Sequence, residues 1–267
     1  MEALCDLLFE LSNDDRLSIL FELQKEPSKI SNLSKVLDFT PQATTRNVTR
    51  LVEIGLVRRN ESSDYILTPY GSTSINLLEP YLFLTENKYY FNTHLTDKLP
   101  SEFLARLGVL RRSKPLNELM EAFAKIEKII VEAEEFFWYI TNEVLVSTNY
   151  YIMGLEALDR GVEFRCIEPI GYRVPQNIVD NISKKVRDAL DVHRINGLLL
   201  DRGHEKIDII LYMNEKEVAV LAFPELTGGF DYLGFTSSDP KVINWCKDLH
   251  RYYWDKAIQR QIFHKNI

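Results

Sequence analysis

The sequence holds only three cysteines, and Cys5, Cys166 and Cys246 are far apart, odd in number and free of any C-x-x-C pair or Cys/His spacing suited to zinc. A disulfide scaffold is excluded, and a reducing compartment is expected. The segment from Met1 to Asp6 lacks the basic start, apolar core and small-residue cleavage site of a signal peptide. Nor does any apolar run approach the roughly 18 residues of a membrane span. These absences lead to an expectation of a cytoplasmic protein without a membrane partner. His94, His193, His250 and His264 form no cluster, so no metal and no cofactor are expected. No repeat or low-complexity tract stands out.

An excess of positive charge is missing as well. Lys plus Arg total 32 against 39 Asp plus Glu, for a net charge of -7. Net charge governs solubility and long-range steering, whereas nucleic-acid contact depends on cations gathered on one face. What is present is the balance of a globular protein, 45% hydrophobic and 27% charged. A length of 267 residues favours two domains.

Along the chain, Leu4, Leu7, Leu8 and Leu11 recur at helical spacing, and Ser12 to Asp15 supplies caps for a second helix carrying Leu17, Ile19, Leu20, Phe21 and Leu23. Pro27 ends it. A third helix is expected to bury Ile30, Leu33, Val36 and Leu37. Thr40-Pro41 is a cap followed by a first-turn proline, opening a fourth helix that Gly55 closes. Leu56 to Arg59 and Tyr65 to Thr68 read as strands of a hairpin around Asn60 to Asp64. Thr68-Pro69 starts another helix running toward Phe91, interrupted or bent near Pro80.

From about residue 95, helices and strands alternate as in an α/β domain. Strands are expected at 136–140, 162–167, 197–200, 207–212 and 218–223, and helices at 116–134, 149–160, 178–190 and 240–257. The expected fold class is α+β: a winged helix-turn-helix domain over 1–68, a linker helix over 69–94, and an α/β domain over 95–267.

In the fourth helix, 100° per residue places Thr44, Val48 and Leu51 on one inward face. Gln42, Thr45, Arg46, Thr49 and Arg50 are left for the other side, where Gln and Arg suit base edges and phosphates in a major groove. Arg58 and Arg59 stand on the wing, within reach of phosphates or a minor groove. Between Pro41 and Arg59 there are four arginines and one acidic residue, Glu53. The expected partner is double-stranded DNA, bound as a homodimer reading two half-sites. A winged helix used for protein contact, its arginines merely solvating a surface, stays open as an alternative.

Leu33-Ser34-Lys35-Val36-Leu37, Thr40-Pro41, Arg46 to Leu51 and Gly55-Leu56-Val57 together resemble the winged-helix regulators of the ArsR and MarR type. With Leu233 to Pro240 and the aromatic run Trp245 to Trp254, nearly the whole chain resembles the archaeal methanogenesis and filament regulators. That resemblance implies a phospholipase D-like, TrmB-type sensor domain with a small-molecule effector, and it implies Leu4 to Leu11 and Tyr70 to Phe91 as dimer surfaces, since similar regulators pair through these elements. Phospholipase D chemistry needs His-x-Lys-x4-Asp. His204-Glu205-Lys206 begins it, but Leu211 stands at the Asp position and no second copy occurs. No catalytic residue is therefore expected, and a nucleic-acid-associated phosphodiesterase is the enzyme alternative. Thr141, Asn142, Glu168 and Asp201 are candidate effector contacts at strand ends, although each reads more plainly as a cap or turn residue. Trp245, Leu249 and Tyr252 share a helix face that core packing explains.

Overall fold

In the computed structural model, which describes residues 1–143, 148–173 and 176–259, the fold is α+β and divides into Met1–Tyr81 and Leu82–Ile267. His264 lies outside the described residues.

The first unit is a winged helix. Helices α1 (Glu2–Leu11), α2 (Asp14–Lys25), α3 (Ile30–Leu37) and α4 (Pro41–Glu53) precede a hairpin of β1 (Val57–Arg59) and β2 (Tyr65–Leu67), and α5 (Pro69–Asn76) follows it. Capping explains the boundaries. Asn13, Thr40 and Thr68 each accept a backbone N–H from the first turn of α2, α4 and α5. After α4, Gly55 adopts φ +78°, Leu56 N–H bonds Leu51 O and Gly55 N–H bonds Val52 O, both at 3.0 Å. This is a Schellman stop, which a left-handed residue makes possible. Ser28 and Tyr65 exchange two backbone hydrogen bonds, tying the segment between α2 and α3 to the wing.

The core of this unit is Leu11, Ile19, Leu20, Leu23, Leu33, Val48, Leu51, Leu56, Val57 and Ile75. One expected core position is exposed. Val36 is 53% exposed, its place on α3 taken by Ser34, which bonds Thr44 Oγ1 at 3.0 Å. On α1 only Leu11 among the four leucines is buried, with Leu4 and Leu8 about half exposed.

Helix α5 rests on the wing so closely that a Cβ at Gly71 would lie 2.0 Å from the Leu56 carbonyl oxygen. Backbone cannot yield as a side-chain tip can. Gly71→Ala is expected to destabilise the winged helix by about 3 kcal/mol, read as a lower thermal midpoint by circular dichroism; an unchanged midpoint would contradict this packing.

The segment expected as a linker helix interrupted or bent near Pro80 consists of α5, α6 (Glu79–Glu86) and α7 (Lys88–Phe91). Pro80 sits in the first turn of α6, where its missing N–H costs nothing. At Asn87 the side chain bonds Phe83 O, competing with helix continuation.

The second unit continues with α8 (Ser101–Leu104), a 3₁₀ turn at Leu107–Arg112, β3 (Lys114–Pro115), α9 (Leu119–Glu132), β4 (Phe136–Ile140), α10 (Thr148–Asp159), β5 (Glu163–Pro169), α11 (Gln176–Asn181), α12 (Lys184–Ile195), β6 (Leu199–His204), β7 (Ile210–Asn214), β8 (Val218–Ala222), β9 (Phe235–Ser237), α13 (Pro240–Lys256) and β10 (Ile258–Gln259). The strands form one mixed sheet in the order β10-β6-β5-β4-β7-β8-β9-β3, with β4, β5 and β6 parallel and the other pairs antiparallel. All of β7 and β8 is buried, as central strands covered on both faces must be. The helix expected over 178–190 is two helices, because Ser183 caps α12.

Alternation along the strands sorts the two faces. Phe137, Tyr139, Phe164 and Cys166 turn toward the α10 side, where Phe164 meets Gly154. Trp138 turns the other way and stacks on His250 of α13, centroids 4.9 Å apart. Trp245 and Leu249 are fully buried. Tyr253 takes the buried place expected of Tyr252, which is only partly covered.

Candidate nucleic-acid interface

Helix α4 follows α3 through the short turn Asp38 to Thr40, with Asp38 at φ +55°. Thr44, Asn47, Val48 and Leu51 are buried. Of these, Asn47 was not foreseen: its amide donates to Asp15 Oδ2 at 3.1 Å, a polar tie between α4 and the start of α2. The buried side fixes the exposed one, which carries Gln42, Thr45, Arg46, Thr49 and Arg50.

These five residues are not equivalent. Pro41, Gln42, Thr45 and Arg46 line an open depression of about 400 Å³. Thr45 Oγ1 donates back to Pro41 O at 2.7 Å, leaving its oxygen free to accept. The Arg46 side chain makes no hydrogen bond or ion pair among the described residues, and neither do the side chains of Gln42 and Thr49. Arg50 is committed: its Nη2 lies 2.8 Å from Oε1 of Glu10.

Glu10 was invisible as a functional residue in the sequence. It is 5% exposed, and its second oxygen meets Arg16 Nε at 3.0 Å. The hydrogen bond from Arg50 holds the Glu10 carboxyl below the usual carboxylate range, against the effect of burial and with the added pull of the Arg16 charge.

On the wing, Arg58 and Arg59 are exposed, but adjacent strand residues point to opposite faces. The Arg59 guanidinium lies over the Tyr65 ring at 5.2 Å, a stack that fixes its direction. Asn60 N–H bonds Asp64 O at 2.8 Å, which closes the turn between the strands.

No protein-family model matches the sequence, and no curated protein matches it. Among solved structures, TrmBL2, an archaeal chromatin protein whose structure shows a novel mode of DNA binding, is 15% identical over 93% of this chain and 94% of its own, with a TM-score of 0.42. Nuc from Salmonella typhimurium, a phospholipase D family member, is 10% identical over 56% of this chain and 97% of its own, with a TM-score of 0.34. IdeR from T. acidophilum is 15% identical over 84% of this chain and 97% of its own, with a TM-score of 0.22. These likenesses are loose, and the functional reading rests on the geometry of the chain itself.

In the second unit, the expected effector contacts fall into two groups on the α10 side of the sheet. Thr141 is fully buried, and its hydroxyl donates to Glu143 O at 2.6 Å and lies 3.1 Å from the Tyr232 hydroxyl. Tyr232 OH also reaches Asn142 Oδ1 at 3.2 Å. Tyr232 itself sits at φ +61°, a conformation costly for a bulky residue. Glu168 accepts from Tyr139 OH at 2.7 Å, while Asp201 accepts from Arg194 Nε at 2.8 Å. Tyr139 and Tyr212 stack between the groups, centroids 5.5 Å apart. Burial first, and then the nearby Cys166, Glu168 and Asp201, push the Tyr139 phenol well up; burial likewise raises Tyr232 to about 12. The phenols stay neutral donors there.

The side chains of the His204 fragment are engaged with their own neighbours in sequence. His204 Nδ1 faces the Lys206 carbonyl at 2.7 Å, and Lys206 Nζ lies 3.6 Å from Asp208. Among the described residues, no three His, Cys, Asp or Glu side chains group as metal ligands, and no helix is long and apolar enough to cross a membrane.

Proposed function

We propose that this chain is a sequence-specific DNA-binding transcriptional regulator, with α4 in the major groove and the β1–β2 wing on flanking DNA. The observation that carries this reading is the exposed face of α4, which offers Arg46 and Gln42 without internal partners while Thr44, Val48 and Leu51 anchor the helix from behind. Gln42, Thr45, Arg46 and Thr49 read base edges, where Arg pairs with guanine and Gln with adenine. Arg50, Arg58 and Arg59 serve phosphates.

The working form is a homodimer. The basic patch of one copy is small, and α1 leaves Leu4, Leu8 and Phe9 50%, 51% and 63% exposed, apolar surface available to a second copy. The C-terminal unit acts as a TrmB-type sensor rather than an enzyme, with Thr141, Asn142, Glu168 and Asp201 contacting a small-molecule effector. Such an effector shifts DNA affinity only through unequal affinity for two conformations. The protein works in the cytoplasm.

Selection from a random duplex library tests the reading. Enrichment of one palindromic sequence is the expected result and speaks for a dimer on two half-sites. Failure to retain any duplex even at low salt would overturn it, because phosphate contacts alone hold nonspecific complexes there.

A further inference from the structure

The carboxylate of Glu10 is shared unequally between two arginines. Arg16 is buried, with its side chain 9% exposed, and holds Glu10 Oε2 at 3.0 Å. It also donates to the carbonyls of Glu10 at 2.8 Å and Phe9 at 3.2 Å, closing the end of α1. Arg50 has its side chain 49% exposed and meets Glu10 by Nη2 at 2.8 Å and by Nε at 3.4 Å. One guanidinium is built into the corner of α1 and α2, and the other reaches the carboxylate from the solvent side.

This asymmetry has a physical consequence. Removing the sole partner of a buried carboxylate leaves an uncompensated charge, which is strongly unfavourable. Here the departure of Arg50 leaves Arg16 in place. The Asn47 bond to Asp15 holds α4 independently of the Arg50 side chain. Carboxylate and phosphate present similar paired acceptors to a guanidinium fork. Arg50 lies one helical turn beyond Arg46, on the exposed side of the same helix.

We propose that Glu10 is an internal stand-in for a DNA phosphate: it holds Arg50 in the free protein, and on duplex binding Arg50 exchanges Glu10 for a backbone phosphate while Arg16 keeps Glu10 compensated. This rests on the DNA-binding reading above and assigns Glu10 as a positioning residue for it. Affinity for any duplex is then lowered by the competition within the protein.

The test is fluorescence anisotropy of the full chain on a labelled mixed-sequence duplex of about 25 base pairs across a salt series. Glu10→Gln is expected to tighten binding about three- to fivefold, the scale of an exposed ion pair, with the wild-type salt slope. Arg50→Ala is expected to weaken binding and to make the slope of log K against log salt shallower by about 0.9, one phosphate contact. In the double variant the Glu10→Gln gain disappears, because it acts only through Arg50. A Glu10→Gln protein that folds yet binds no tighter overturns the exchange. Should that variant fail to fold, Arg50→Ala decides: a wild-type slope overturns the proposal. Failure of the wild-type chain to bind at low salt would instead sink the DNA-binding reading itself.

Discussion

Replacing Arg46 with Ala is expected to weaken binding to the selected duplex by about 5- to 150-fold, the worth of one bidentate arginine–base contact, without lowering the thermal midpoint of the protein. The second half of that expectation comes from the structure. Arg46 is exposed and has no hydrogen-bond or ion-pair partner among the described residues, so its removal leaves no buried group unsatisfied. Surface substitutions of this kind change stability by no more than about 0.5 kcal/mol. Thr44→Ala provides the contrast. Thr44 is fully buried and its hydroxyl contacts Ser34 and the Thr40 carbonyl, so its loss acts through stability. Anisotropy and circular dichroism on both variants separate the effects. Undiminished affinity in a folded Arg46→Ala protein would remove α4 from the interface.

Acid is expected to destabilise the second unit through His250, at pH values where carboxylates still hold their charge. His250 is fully buried between Trp138 and Trp254, with ring centroids 4.9 and 5.8 Å away, and neither ring nitrogen has a hydrogen-bond partner of good geometry. Burial lowers its pKa from 6.5 to about 3; the backbone of Arg165 and Tyr139 opposes the shift, and the charges of Arg165 and Arg251 add to it. In the unfolded chain the ring takes up a proton below about pH 6.5, which the folded ring refuses until about pH 3. Unfolding therefore gains protons, and stability falls with falling pH across that window. The loss is roughly 2 kcal/mol between pH 7 and pH 5.

Carboxylates held down by their partners do not mask this effect. Glu10 is held below its ordinary value of 4.5 chiefly by Arg50, Glu215 by backbone N–H groups that outweigh its burial, and Glu217 by Lys125 and Lys128, which do the same. Their stabilisation is present above 4.5 and is lost only as pH falls further. The three tryptophans, Trp138, Trp245 and Trp254, all lie in the second unit, so denaturant titration followed by their fluorescence reports on it. His250→Phe keeps the stacked ring without its charge and is expected to lose about 2 kcal/mol less than wild type between pH 7 and pH 5. Equal losses in the two proteins would refute the assignment.

The winged helix was legible because its signals are local. Thr40-Pro41, Thr68-Pro69 and Gly55 act on the residues beside them, and a stop such as Gly55 works through its own backbone torsion. The strands β4, β7 and β8 were legible as apolar runs, since strands covered on both faces have little choice of composition, whereas β6 was legible only at its start, Leu199 and Leu200, because Asp201 to His204 carry no such run. The two-residue β3 and β10 and the three-residue β9 carry no such run. They exist because a neighbouring strand offers them its edge, as Phe235 pairs with both Leu221 and Pro115.

The sequence by itself determined the order of helix, turn, helix and wing, the inward row Thr44, Val48 and Leu51, and the alternation of helices and strands that follows. Each depends on spacing within one element, and periodicity is a property of the chain. Only the tertiary structure decided that Glu10 is buried between Arg16 and Arg50, that Val36 and Leu4 face outward, and that Thr141 meets Tyr232 while Glu168 meets Tyr139. A carboxylate goes inside only where cations await it, and those of Glu10 come from 6 and 40 residues away. Separations of that size are set by packing, which no local pattern encodes.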